Sequence, residues 1–108
     1  MPWLCREDEV LAPVEVAATR ASRRQGLIGR DGIDGAMLLL PAFAVHTLAM
    51  DFAIDVAYLD ADSKVLAITT MRPFRIGRPR FRAKAVLEAE AGSFARWGIH
   101  VGDVLEAR

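Results

Sequence analysis

Apolar residues along the chain fall in short runs with strand-like spacing rather than in long helical stripes. Over residues 10–17, Val10, Val14 and Val16 share one register and Glu15 takes the other, which predicts a strand, and Pro13, with no N–H to give, predicts that it lies at a sheet edge. Residues 36–40 are continuously apolar and closed by Pro41, the pattern of a central strand. Residues 43–48 form a second apolar segment and 52–59 a third, rich in the Ile, Val, Phe and Tyr that strands favour. The turn Asp60-Ala61-Asp62-Ser63 then separates 54–59 from 64–70, with β-branched residues on both sides, and predicts a hairpin. Residues 85–89 return to strand, and 100–105 read as a turn and a last strand.

Helical signals are brief. Thr19 is placed to cap a helix over residues 20–28, but Gly26 and Gly29 each cost about 1 kcal/mol relative to Ala inside a helix and should stop it there. Residues 92–97 predict a helical turn ended by Gly98. Many short strands with one or two short helices predict a mainly β fold, a compact antiparallel β-sandwich or barrel.

Length and composition narrow this further. A chain of 108 residues has room for a single domain, 1–108, and 53% apolar against 26% charged residues excludes disorder. Fourteen basic and fourteen acidic side chains cancel, so no overall field recruits nucleic acid or a membrane surface, and neither is expected as a partner. The one local exception is residues 72–84, where Arg72, Arg75, Arg78, Arg80, Arg82 and Lys84 occur with no acidic residue and with Phe74 and Phe81 interleaved. That stretch has the look of a surface for nucleic acid or an acidic partner, yet the zero net charge and a pI near 6.7 oppose it, and Pro73 and Pro79 predict a rigid loop over the sheet. The lone Cys5 cannot form an internal disulfide, and the N-terminus turns acidic before any apolar stretch that would read as a secretory signal; the expectation is the cytoplasm. Residues 35–50 are uncharged but broken by Pro41, His46 and Thr47, and read as core strands rather than a membrane span.

Chemistry-bearing side chains are few. Asp55 interrupts the strongest strand and needs a partner for its carboxylate: of the guanidinium of Arg23 or Arg30, the imidazole of His46 and backbone N–H groups at a turn, the expected partner is Arg23 or Arg30, next to His46. Arg23, Leu27 and Arg30 share one stripe if the helix persists, an arrangement suited to carboxylates or an anionic ligand. His46 and Thr47 break an apolar segment as a general base or hydrogen-bonding pair would. Ser22, Ser63 and Ser93 lack a nucleophile-elbow context, Cys5 lies in the terminus, and His46 and His100 stand too far apart in sequence to form a short ligand pair, so neither a nucleophile nor a metal site is expected. Met37, Met50 and Met71 read as core fillers.

These residues also fall in a recognisable order: Arg23 with Gly26-Leu27-Ile28-Gly29-Arg30, then His46-Thr47-Leu48-Ala49-Met50, then Ile54-Asp55-Val56. Arg72-Pro73-Phe74-Arg75, Val86-Leu87-Glu88, and Gly98-Ile99 followed by Gly102-Asp103 come after. From Val14 to Leu105 the chain resembles the family catalogued as domain of unknown function 192. The resemblance implies a compact, mainly β, sandwich-like fold and carries no established activity. The chain departs from the family's usual pattern at Ile28, where Met is common, at Ala53, where Pro is common, and at Ala89-Glu90, where Leu-Pro is preferred.

The resulting expectation is a non-catalytic binding or accessory module without a cofactor, holding a small or anionic ligand or a partner segment. Its cleft would be lined by Arg23, His46, Thr47 and Asp55, joined by Arg75 and Glu88 and, through the same motifs, by Arg30 and Met50. The alternative is a small hydrolase-like or isomerase-like enzyme in which His46 acts as a base oriented by Asp55.

Overall fold

The computed structural model describes residues 2–108. Strand β1 (Trp3–Arg6) and strand β2 (Glu9–Ala17) form a hairpin whose tight turn is the acidic pair Glu7-Asp8. The acidic N-terminal segment is therefore built in, and Cys5, expected in a loose terminus, is buried in β1. Helix α1 (Arg20–Gln25) follows, with a capping box in which the Ser22 N–H donates to Thr19 Oγ1 and the Thr19 N–H donates to Ser22 Oγ. It stops at Gln25, short of the expected residue 28, because Gly26, the first of the two glycines, already caps it with a φ of +48° that suits glycine. Strands β3 (Ala36–Leu39), β4 (Ile54–Leu59), β5 (Val65–Met71) and β6 (Ala85–Glu90) come next, then helix α2 (Ser93–Trp97) and the two-residue strand β7 (Glu106–Ala107).

The strands join one seven-stranded sheet in the order β5-β4-β6-β3-β2-β1-β7. The mainly β class and the two short helices are as expected, with two corrections: the sheet is open rather than closed into a barrel, and it is mixed, because β2 and β3 pair in parallel. The predicted hairpin forms, β4 pairing antiparallel with β5 across the Asp60 turn, and β3 takes the central position its unbroken hydrophobicity implied. β2 is interior rather than an edge. Residues up to Pro13 pair with β1 on one side, and Val14 to Ala17 pair with β3 on the other, so the missing N–H of Pro13 falls where β2 changes partner. Gly35 makes that exchange possible: with φ of +85°, it sits so close that an added Cβ would lie 2.2 Å from the Pro13 carbonyl oxygen.

Both faces of the sheet are covered. On one, Met37, Leu39, Val56, Tyr58 and Val86 pack under residues 27–33 and 42–52. On the other, Val14, Ala57, Leu59 and Leu87 pack against Phe94, Ile99 and Leu105. Residues 43–48, expected as a strand, are instead a strap. The carbonyls of Phe43, Val45 and Thr47 accept from the N–H groups of Arg80, Gly77 and Phe74, so the segment spends its hydrogen bonds on the basic loop rather than on the sheet. Residues 100–105 also correct their prediction: they turn across the end of the β4–β5 hairpin, with Leu105 N–H donating to Ser63 O and Val65 N–H to Asp103 O, and the last strand begins only at Glu106.

Candidate functional site

The alternation of strand side chains decides which predicted residues meet. In β6, Glu88 lies between Met37 of β3 and Val56 of β4 and shares their face, under the turn that follows α1 and under the strap. It is 5% exposed. Its carboxyl is pushed up to about 7, and burial is the single cause, with no cation or hydrogen-bond donor among the described residues to offset it. The carboxyl borders a recess of about 70 Å³, large enough for a few waters or a small polar group, whose walls include Arg23, Leu27, Ile28, Leu39, His46 and Met50. Four of the predicted cleft residues, Arg23, His46, Met50 and Glu88, therefore come together.

Each has a local reason to be there. The early end of α1 at Gly26 folds Leu27 into the core and leaves half-buried Arg23 at the rim, its Nη1 donating to the carbonyls of Ala18 (2.8 Å) and Leu40 (3.4 Å). His46 is exposed, and its Nδ1 accepts from the Leu48 N–H at 3.2 Å, which fixes the ring at the mouth of the recess. Met50 closes the inner side, fully within the core, as its reading as a filler implied.

The other four go elsewhere. Arg30 forms a two-pronged ion pair with Glu15 of β2, Nη1 to Oε2 at 2.6 Å and Nη2 to Oε1 at 3.0 Å, and this contact holds the Glu15 carboxyl below its usual range. Thr47 is fully buried. Its hydroxyl donates to Arg72 O at 2.5 Å and accepts from the Arg75 N–H at 2.9 Å, while its backbone N–H donates to Arg75 O at 2.8 Å. Thr47 is thus a clamp on the basic loop, and Arg75 lines a different cavity on that loop.

Asp55 corrects the expectation of a basic partner beside His46. It precedes Val56 and so faces the opposite side of the sheet from the recess. Its Oδ2 accepts from the Gly92 and Phe94 N–H groups at 2.9 and 3.1 Å, and its Oδ1 from Thr70 Oγ1 at 2.9 Å, so it fastens the start of α2 to the sheet. The backbone-donor option is the one realised, and the pairing of His46 with Asp55 on which an enzymatic reading depended is not made. Among the recess walls, Leu39 went unread; it stands two residues from Met37 in β3, and the period of two would have assigned it to the Glu88 face.

Comparison with known proteins gives a consistent family and no activity. A family profile described as Uncharacterized ACR, domain of unknown function 192, matches residues 4–107. A UPF0127 protein of Pyrococcus abyssi is 33% identical over 98 residues, covering 86% of this chain and 84% of its own. A crystal structure of a protein of unknown function from Novosphingobium aromaticivorans superposes with a TM-score of 0.82 at 25% identity, over 97% of this chain and 83% of that one. A second, from Sinorhizobium meliloti and named as a candidate transcription regulator, gives 0.79 at 24% identity over 98% and 91%, a likeness of fold alone.

Proposed function

The chain belongs to the uncharacterised ACR family, domain of unknown function 192, and from that premise we propose that it is a non-catalytic binding module that takes a small polar ligand in the recess between Arg23, His46 and Glu88. One observation carries the reading: Glu88, a residue 5% exposed, has its carboxyl pushed up to about 7 by burial alone, has no hydrogen-bond partner for it among the described residues, and borders a recess whose walls include Arg23 and His46. A buried ionisable group without a partner is costly to a fold, and a ligand that hydrogen-bonds to it recovers that cost on binding. Near neutral pH Glu88 is poised to donate when protonated and to accept when ionised, while Arg23 supports an anionic portion of the same ligand.

A cytoplasmic module without nucleic-acid or membrane partners is part of this reading. The balanced charge supports it, as does Cys5 buried as a free thiol; no helix of the described residues is long and apolar enough to cross a membrane. The test is a thermal-shift screen of small metabolites, anions and metals against the wild type, Glu88→Gln and Arg23→Ala. A ligand at a hundred times its dissociation constant adds about 2.7 kcal/mol of stability. The stabilisation should appear with the wild type and vanish with both variants; a hit that stabilises all three equally removes the recess as the site.

A further inference from the structure

The basic loop between β5 and β6 was not absorbed by the recess, and it carries a separate arrangement. Arg72, Arg75, Arg78 and Arg80 line one cavity of about 480 Å³, closed on its inner side by Tyr58 of β4 and Thr69 of β5. That volume falls within the roughly 300–1,000 Å³ of small-molecule clefts, and no residue of this lining is shared with the Glu88 recess. No carboxylate lies in the lining, and among the described residues none of the four guanidiniums is ion-paired; the ion pairs formed by arginine involve Arg6, Arg30 and Arg108 instead. Four like charges around one cavity repel each other unless something of opposite sign is supplied.

Arg72, Arg75 and Arg78 are exposed and Arg80 is half-buried, and two further features set the arrangement apart from a simple run of surface charge. Arg80 lies with its guanidinium carbon 5.2 Å from the centre of the Tyr58 ring, and its Nε is buried with no hydrogen-bond partner among the described residues. The loop is also held in place: Thr47 grips Arg72 and Arg75 through side chain and backbone, Gly77 N–H donates to Val45 O at 2.8 Å, and Arg80 N–H to Phe43 O at 2.8 Å. Gly77 is required for that grip, because an added Cβ would lie 2.8 Å from the Val45 carbonyl oxygen. The guanidiniums are thus carried on a fixed backbone, so less ordering is left for a ligand to impose.

The geometry points to this cavity as a binding site for a small anion that carries two or more linked phosphoryl groups. A single phosphate supplies too little charge for four guanidiniums, whereas a chain of two or three supplies about three to four negative charges and several oxygens with the fork geometry that arginine prefers. The chain's net charge is zero, which favours a free anion over a nucleic-acid backbone or a phospholipid surface.

The experiment is isothermal titration of the full chain with tripolyphosphate and with inorganic phosphate, alongside a single-stranded oligonucleotide and sedimentation with phosphatidylglycerol vesicles. Variants are Arg75→Gln with Arg78→Gln, and, as a control for simple charge loss, Arg82→Gln, which lies outside the cavity; thermal melts establish that each is folded. Expected are one tripolyphosphate per chain, inorganic phosphate at least about tenfold weaker, and a loss of about tenfold or more in the double variant with little change in Arg82→Gln, as charge-assisted hydrogen bonds imply. Absence of tripolyphosphate binding, or equal weakening by Arg82→Gln, overturns the site. Tighter binding of the oligonucleotide or the vesicles than of tripolyphosphate overturns the choice of a free anion.

Discussion

Glu88 illustrates how burial without a partner translates into a pH dependence. In the unfolded chain its carboxyl ionises near the ordinary 4.5, and in the folded protein at about 7. Between those values the folded state holds a proton that the unfolded state has released, so Glu88 makes stability fall as pH rises from about 4.5 to about 7 and adds no further slope above. The gap is worth roughly 3 kcal/mol. Glu88→Gln, neutral at every pH, should therefore gain on the wild type by up to that amount between about pH 4 and about pH 8, read from urea denaturation at both ends; a slope unchanged in the variant would refute this assignment. Thr47 makes a different kind of claim, because its hydroxyl is both donor and acceptor in a fully buried position. Thr47→Val keeps the shape and orphans the Arg72 carbonyl and the Arg75 N–H, which should cost about 1–3 kcal/mol and speed hydrogen exchange at the Arg75 amide.

Asp55 ties one element to another. A five-residue helix such as α2 has little stability of its own, and its first N–H groups find their acceptor in the Asp55 carboxylate rather than in a residue of the helix. Asp55→Leu removes the acceptor of three donors and should destabilise the fold by about 2–4 kcal/mol. Asp55→Asn keeps an oxygen for the two amides, and the Thr70 hydroxyl turns to accept, so it should cost only about 1 kcal/mol. Chemical denaturation of the two variants separates these outcomes, and equal losses would show that charge rather than acceptor geometry matters. The strap formed by residues 43–48 shows the same dependence between elements: its alternate side chains Val45 and Thr47 are buried as in a strand, while its carbonyls are assigned to the basic loop.

For the whole molecule, the segment after α2 closes the second core. Ile99 and Leu105 are buried among Leu59, Val65 and Leu87, and the backbone of residues 102–105 is bonded to Ser63 and Val65 of the hairpin. A chain truncated after Gly98 loses both side chains and the cover over that face, a loss of about 4 kcal/mol or more from the side chains alone, and should show neither a cooperative melt nor dispersed amide resonances. The amino-acid order by itself determined the mainly β class, the hairpin at Asp60, the short helix capped by Thr19 and the central position of Ala36–Leu39. Those follow from local terms: strand propensity, turn chemistry, capping and the apolar period. Only the tertiary structure decided that β2 changes partner at Pro13, that residues 43–48 bond to a loop instead of a sheet, that Asp55 and His46 lie on opposite sides, and that of the eight expected cleft residues Arg23, His46, Met50 and Glu88 meet while the others do not. The reason is physical. Local sequence fixes that neighbouring strand residues point opposite ways, but which face meets which cover, and which distant N–H meets which carboxylate, is set by contacts between segments tens of residues apart.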